Sequence, residues 1–501
     1  MTRRQNILFI MTDQHRIDHL GYDPRSVMAT PHIDRIAGSA GFTECQSANP
    51  LCQPARAALL TGKYSHQVGM LTMSGDLSQQ HRTYPQALQE AGYYTTVAGK
   101  LHLLQGWDWF GRIPGGHRLT DLRAQMQGYG FDEVWEASGK FLMRRDHCDY
   151  AQHLQDRGLL DGYWDHIQRC QGNTFSALDK FDQVQPWPFA EADYVDIATT
   201  THAIEQIRQR PADKPFFTLC SLCGPHVPYD PPQRFLDAVP YREDDNFCLE
   251  GEDLSPEAKR SMWALRQAYQ AMIACIDEQV GRLFDCLEDG GLLDDTVVVF
   301  TSDHGEMLGD HYRMQKGFPY WQSVGVPLAI RHPEHLGAIR SATPVEHVDI
   351  TATILDVAGL DPQQVLSRYW PSYHDMVPGH SLLPILRGET DAVREWAFSE
   401  CDMKWHDAPK GDTESHVPAC WQALTTERFK YVRHVDTTKG PDDFARELLF
   451  DRAADPDEVV NLIDAPEHAA VVARCRQYRE WVMATTLPGQ TSWAPVANPL
   501  R

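Results

Sequence analysis

Asn6-Ile-Leu-Phe-Ile-Met-Thr-Asp-Gln14 is a run of five apolar residues that stops abruptly in polar ones. Rich in Ile and Phe and apolar on both of its alternating faces, it reads as a central parallel strand that delivers Asp13 and Gln14 at its C-terminal edge. The pattern recurs. Tyr93-Tyr-Thr-Thr-Val-Ala98 runs into Gly99-Lys100-Leu101-His102, Pro215-Phe-Phe-Thr-Leu-Cys220 leads to Gly224-Pro225-His226, and Thr296-Val-Val-Val-Phe-Thr301 leads to Ser302-Asp303-His304. Each strand hands a titratable pair or an imidazole to the edge where open α/β sheets build their sites.

Between these strands the sequence has helical pattern. Helices are expected near 30–37, 84–92, 195–208, 256–289 and 349–358, several of them closed by glycine, with a further strand at 327–331. Strand–helix alternation over about 360 residues implies a doubly wound α/β sheet. After a Pro- and Gly-punctuated passage at 362–388 the character changes. Short β-rich runs begin at Trp396, Trp421, Lys430 and Glu447, and a helix follows near 469–483. Their spacing suits a smaller C-terminal α+β unit on an antiparallel sheet. The expected division is therefore 1–390, carrying a variable insertion at about 105–193, and 391–501. Five tryptophans of that insertion (Trp107, Trp109, Trp135, Trp164, Trp187) suit either a pocket lining or local packing.

The whole chain of 501 residues is 42% hydrophobic and 23% charged, a globular composition with room for a large core. Its formal net charge of -23 argues against a nucleic-acid partner, because a polyanion is drawn to clustered Lys and Arg. Any anionic substrate must then be met by a local basic site. The apolar run at 7–11 is too short for a signal core, and no stretch approaches the roughly 20 residues that cross a bilayer, so a cytoplasmic protein without membrane contact is expected. Twelve irregularly spaced cysteines do not form a disulfide framework. Cys220-Ser-Leu-Cys223 lies in an apolar strand with no second pair to complete a zinc site, and it reads as core.

One cysteine stands apart. In Leu51-Cys52-Gln53-Pro54-Ala55-Arg56-Ala57-Ala58-Leu59-Leu60-Thr61-Gly62, proline suits a first helical turn and glycine a helix end. Cys52 then sits at the positive end of a helix with Arg56 one turn later on the same face, which sets a cation beside a sulfur. Alone, this would be a packing cysteine. Four strand ends converging on the same edge change the weighting: Asp13, Asp303 and His304, with Gln14, make an oxygen-rich donor set that suits Ca²⁺, Mg²⁺ or Mn²⁺ better than a structural zinc. Arg56, Lys100 and Lys316 would ring that metal with positive charge and call for an anionic substrate.

These residues carry a resemblance. The Cys52-Gln-Pro-Ala-Arg56 segment continuing to Leu60-Thr-Gly62 resembles the active-site segment of the type I sulfatases of the alkaline phosphatase superfamily. Asn6 to Gln14, Gly99-Lys100-Leu-His102, Gly224-Pro-His226 and Ser302-Asp303-His304-Gly-Glu306-Met-Leu-Gly-Asp310-His311 are similar to its other motifs. Thr425 to Tyr431, Glu447 to Asp451, Asp455 to Glu458 and Asn461-Leu462 resemble its C-terminal part.

The resemblance implies an alkaline phosphatase-like α/β fold, a large mixed, mostly parallel sheet sandwiched by helices, and a sulfuric ester hydrolase acting on a small anionic sulfate ester through a covalent sulfo-formylglycine intermediate. Cys52 would be oxidised by a formylglycine-generating enzyme. Asp13, Gln14, Cys52, Asp303 and His304 would hold one divalent metal, Ca²⁺ favoured over Mn²⁺ or Mg²⁺. By the same resemblance Arg56 stabilises the formylglycine alkoxide, Lys100 and Lys316 bind sulfate oxygens, His102 acts as base on the hydrate, and His226, with Lys316, serves the leaving oxygen. One departure pulls the other way. Gln14 stands where many sulfatases have a second aspartate, and the Asp-Gln and Asp-His forms also occur in related phosphonate monoester hydrolases and phosphodiesterases. The Lys100-x-His102 pair is sulfatase-like. An inactive sulfatase-like binding protein is the non-enzyme alternative; the ester (aryl, choline or sugar sulfate) and the oligomeric state, a homo-oligomer included, are left open.

Overall fold

The structure is a computed structural model that describes residues 4–73, 75–104, 118–170, 184–249, 251, 253–367, 376–402, 420–435 and 446–486. Fourteen strands are formed in chain order among these residues: β1 Asn6–Asp13, β2 Ala40–Phe42, β3 Cys45–Gln46, β4 Tyr94–Gly99, β5 Glu133–Glu136, β6 Phe216–Pro225, β7 Thr296–Ser302, β8 Leu328–Arg331, β9 Ile339–Ser341, β10 Val345–Glu346, β11 Trp396–Asp402, β12 Cys420–Thr426, β13 Phe429–Val435 and β14 Arg446–Asp451. Eight of them form one sheet in the order β5-β4-β6-β1-β7-β8-β2-β9. From β5 through β7 every pairing is parallel; β8 runs antiparallel to both β7 and β2, which makes the sheet mixed.

β1 is the axis of this sheet, buried along its whole length between β6 and β7. Its alternation sorts the core into two layers. Ile7, Phe9 and Met11 pack with Ala57, Leu59 and Ile350, from the helices Cys52–Thr61 and His347–Val357. Leu8 and Ile10 point the other way, toward Ile33, Ile204, Ile276 and Val280, from the helices Pro31–Ile36, Val195–Gln209 and Pro256–Asp289. That two-sided burial is why the strand reads as a continuous apolar run rather than an alternating one. Cys220 and Cys223, three apart on β6, fall into opposite layers, so this CxxC is core on two faces and no chelating pair. All twelve cysteines are free.

The C-terminal sheet is the antiparallel meander β11-β12-β13-β14, with the helix Ala469–Thr486 beside it. It packs on the site side of the large sheet: Trp421, Val432, Leu448 and Phe450 share one apolar cluster with Leu51 and Trp321, and Trp421 Nε1 donates to the carbonyl of Gly317 (2.9 Å). The residues flanking Cys52 and Lys316 are therefore held from the C-terminal half of the chain. Of the insertion's tryptophans, Trp187 packs against Phe189, Tyr163 and Tyr194, and Trp135 stacks on His202, which is local packing. Trp107 and Trp109 lie outside the described residues. Among the described residues no helix is long and apolar enough to cross a membrane.

Candidate active site

Strand order decides what the site contains. β4, β6, β1 and β7 are consecutive and parallel, so the four C-terminal ends that carry Lys100 and His102, His226, Asp13 and Gln14, and Asp303 and His304 lie side by side. The helix Cys52–Thr61 begins at that edge, with Cys52 its first residue and Leu51 its extended N-cap. All ten of its residues are buried, Arg56 included. Gly62 ends it at φ 65°, where a side chain would be strained and would run into Leu366. Ser47 Oγ donates to the Asp303 carbonyl (2.6 Å), which ties the loop before the helix to the end of β7.

Asp13, Cys52, Asp303 and His304 converge, with one ligand atom from each lying within 4.8 Å of the others, and all four residues are buried. Cys52 Sγ is 3.1 Å from His304 Nε2 and 3.6 Å from Asp13 Oδ1; His304 Nε2 is 3.6 Å from both Asp13 Oδ1 and Asp303 Oδ1. His304 Nδ1 lies 2.9 Å from the Gly305 carbonyl, which accepts its proton and leaves Nε2 with a lone pair toward the cluster. Two carboxylates, an imidazole nitrogen and a sulfur at this spacing fit a divalent cation. Gln14 is adjacent, its N–H donated to Asp303 Oδ1 (3.0 Å), and its side-chain oxygen accepts from Lys316 Nζ (2.5 Å).

Cations surround this group. Lys100 Nζ donates to Asp13 Oδ2. Arg56 Nε donates to Asp303 Oδ2 (2.8 Å) and its Nη1 to Ser221 Oγ (2.9 Å), while Nη2, 3.8 Å from Asp13 Oδ2, has no hydrogen-bond partner among the described residues. Burial opposes charge on Asp13, but Lys100, Arg56 and Lys316 outweigh it and hold the carboxyl well below the usual range. Burial and Asp13 push the Cys52 thiol up; Lys100, Lys316 and His304 overcome them, and its pKa is lowered. Every other cysteine for which a shift is resolved moves upward, as buried thiols do. Cys52 alone sits where a negative charge is welcome.

Burial opposes charge on His304 but Asp303 and Cys52 outweigh it and raise its pKa; the two remaining imidazoles shift the other way and are neutral. Burial, then Lys100 and Arg56, drive His102 well below its ordinary pKa, and its Nδ1 has no partner among the described residues. Burial and Lys316 do the same to His226. His226 Nδ1 lies 2.7 Å from the Val227 carbonyl, which only accepts, so the proton is on Nδ1 and the Nε2 lone pair faces Lys316 Nζ at 2.7 Å.

Every residue singled out from the sequence reaches this edge. What the sequence did not single out is the layer behind it. Glu136 on β5 accepts the N–H of Leu101 (3.1 Å) and of His102 (3.5 Å), the latter at φ 52°, and so holds the turn after β4. Asp196 accepts the N–H of Cys223 (2.7 Å) and Gly224 (3.0 Å), and holds the end of β6. Neither carboxylate has a local sequence signal, since its partners lie 27 to 35 residues away. Glu306, two residues past His304, supports Gln14.

The Sulfatase family model matches residues 5–360, well over half of the chain, and the model described as N-sulphoglucosamine sulphohydrolase, C-terminal, matches residues 309–482. The chain belongs to the sulfatase family. It is a sulfatase enzyme of the alkaline phosphatase superfamily, with relatives along almost its whole length. The N-acetylglucosamine-6-O-sulfatase of Bacteroides thetaiotaomicron is 27% identical over 500 residues, covering 93% of this chain and 84% of the relative. The arylsulfatase of Clostridium perfringens is 26% identical, covering 93% and 91%. Among solved structures, the phosphonate monoester hydrolase of Agrobacterium radiobacter superposes with a TM-score of 0.72 at 25% identity, over 96% of this chain and 95% of that one.

Proposed function

We propose that this sulfatase hydrolyses a small organic sulfate monoester to an alcohol and inorganic sulfate by covalent catalysis at Cys52, matured to formylglycine. The observation that carries the reading is the setting of Cys52: first residue of a buried helix, 3.1 Å from His304 and 3.6 Å from Asp13, with its thiol pulled down by surrounding cations. Hydrated formylglycine supplies two hydroxyls on one carbon, one for attack at sulfur and one whose deprotonation releases sulfate. Asp13, Gln14, Asp303 and His304 would hold a divalent cation, Ca²⁺ favoured, which when bound offers Lewis acidity beside residue 52.

The chain's own groups divide the remaining work. Two carboxylates, Asp13 and Asp303, face three cations, Arg56, Lys100 and Lys316, so with a divalent ion added the edge is positively charged and selects an anionic ester. Arg56 orients Asp303 through Nε and leaves Nη2 for charge developing at residue 52. His102, neutral and with Nδ1 unengaged, is the base for the second hydroxyl. His226 carries its proton on Nδ1, away from Lys316, so the proton for the leaving oxygen comes from Lys316 Nζ, with His226 Nε2 orienting that ammonium. Residues 1–390 would be the catalytic unit; 391–501 brace the Cys52 and Lys316 loops.

A second reading, phosphonate monoester hydrolysis, is favoured by the Asp13-Gln14 and Asp303-His304 pairs at the two strand ends, together with the likeness to the Agrobacterium radiobacter enzyme. Both readings meet one experiment. Protein co-produced with a formylglycine-generating enzyme is examined by mass spectrometry of the Cys52 peptide and assayed on aryl sulfate, choline sulfate, sugar sulfate and a phosphonate monoester. The proposal expects the aldehyde at position 52 and fastest turnover on a sulfate. Fastest turnover on the phosphonate transfers the assignment to the second reading, and full activity with unmodified Cys52 overturns both.

A further inference from the structure

Glu306 is a fully buried carboxylate with no part in the chemistry above. Its two oxygens have separate partners. Oε2 accepts from Nε2 of Gln14, while Oε1 accepts the backbone N–H of Leu308 (3.1 Å) and that of Gln315. Gln315 precedes Lys316, whose Nζ donates to Gln14 Oε1 (2.5 Å). A ring is thereby closed from Glu306 to the Gln14 amide, from that amide to Lys316, and through one peptide back to Glu306.

The ring has a direction. A primary amide binds a hard cation only through its oxygen, and a flipped amide would present NH₂ instead. A carboxylate only accepts, so Glu306 draws Nε2 to itself and leaves Oε1 on the opposite side of the amide, toward Lys316. Gln14, Leu308 and Gln315 all have left-handed backbone (φ 72°, 45° and 66°), which non-glycine residues hold only where their surroundings impose it. Glu306 touches all three.

We propose that Glu306 is a positioning residue: it turns the Gln14 amide oxygen toward the cation site, lends that neutral ligand the negative charge it lacks, and keeps Lys316 in register with it. This rests on the reading of Gln14 as a cation ligand. The test titrates the full chain, stripped with chelator, with Mn²⁺ and with Ca²⁺ by calorimetry, for wild type, Asp303→Asn, Glu306→Gln, Gln14→Asp and the double variant Gln14→Asp/Glu306→Gln. Glu306→Gln is expected to weaken cation binding about 10- to 100-fold. Gln14→Asp alone sets two carboxylates together and also weakens it, whereas the double variant moves the charge inward and recovers binding to within about threefold of wild type. Wild-type affinity in Glu306→Gln, with loss in Asp303→Asn, overturns this inference alone. Equal binding by wild type and Asp303→Asn overturns the metal reading and this inference with it. Should Glu306→Gln not fold, the double variant decides: recovered folding and binding support the relocation of charge, and their absence overturns it.

Discussion

Lys100 and Lys430 are both buried, both paired with a carboxylate, and shifted in opposite directions. Burial disfavours the charge of Lys100, yet Asp13, Cys52 and Asp303 outweigh burial and the nearby Arg56, and its pKa rises. Burial dominates at Lys430: Glu458 faces it at 2.9 Å but is shared with Arg452 (3.3 Å) and the N–H of Trp321 (3.0 Å), and the pKa of Lys430 falls to about 8. The difference is the number of anions per cation within a few ångströms. At the strand-end edge several anionic groups converge on one ammonium; at Lys430 the one carboxylate in contact, Glu458, is shared with Arg452, which also takes up Glu44. The first arrangement keeps a charge for a substrate to meet, and the second joins β13 to the loop after β14.

That contrast predicts where each part breaks. Cys52→Ala should abolish turnover while circular dichroism and the melting curve stay those of a folded protein; substantial residual activity would sink the catalytic assignment. Lys100→Ala should lower kcat/KM by at least about 100-fold, the scale for loss of one electrostatic contact to the transition state. Lys430→Met should do the reverse: it leaves Glu458 buried with less compensation, costing about 3 kcal/mol in denaturant unfolding, while kcat of the folded fraction stays within about twofold. A large kcat loss in Lys430→Met would erase the distinction between the two lysines.

The smallest effect is a pH dependence. The folded pKa of Lys430, about 8, lies below its ordinary 10.5, so between those values the unfolded chain holds a proton that the folded chain has lost. Its contribution to stability is therefore fully present above about 10.5 and is lost as pH falls toward 8. Unfolding free energy measured from pH 8 to 10.5 should rise more steeply in wild type than in Lys430→Met, by at most a few kcal/mol across the window. Parallel curves would show that the two lysines do not differ in this way.

Much of the site was legible in the chain because its residues follow local features. An apolar run that ends in Asp13, or a proline that opens a helix after Cys52, is visible within about ten residues. The helix at Pro256–Asp289 and the four strands of the C-terminal meander were legible for the same reason. The antiparallel course of β8 was not, because strand direction depends on the partner rather than on the strand's own residues.

The sequence by itself determined which residue types stand at the strand ends and at the start of the Cys52 helix, since burial on two faces demands a continuous apolar run and a helix start has its own chemistry. Only the tertiary structure decided that β4, β6, β1 and β7 are neighbours, that His226 turns its lone pair to Lys316, and that Glu136, Asp196 and Glu306 stand behind the site. Those facts rest on hydrogen bonds between residues from 27 to 292 positions apart, and most such contacts leave no periodic trace in the chain that makes them.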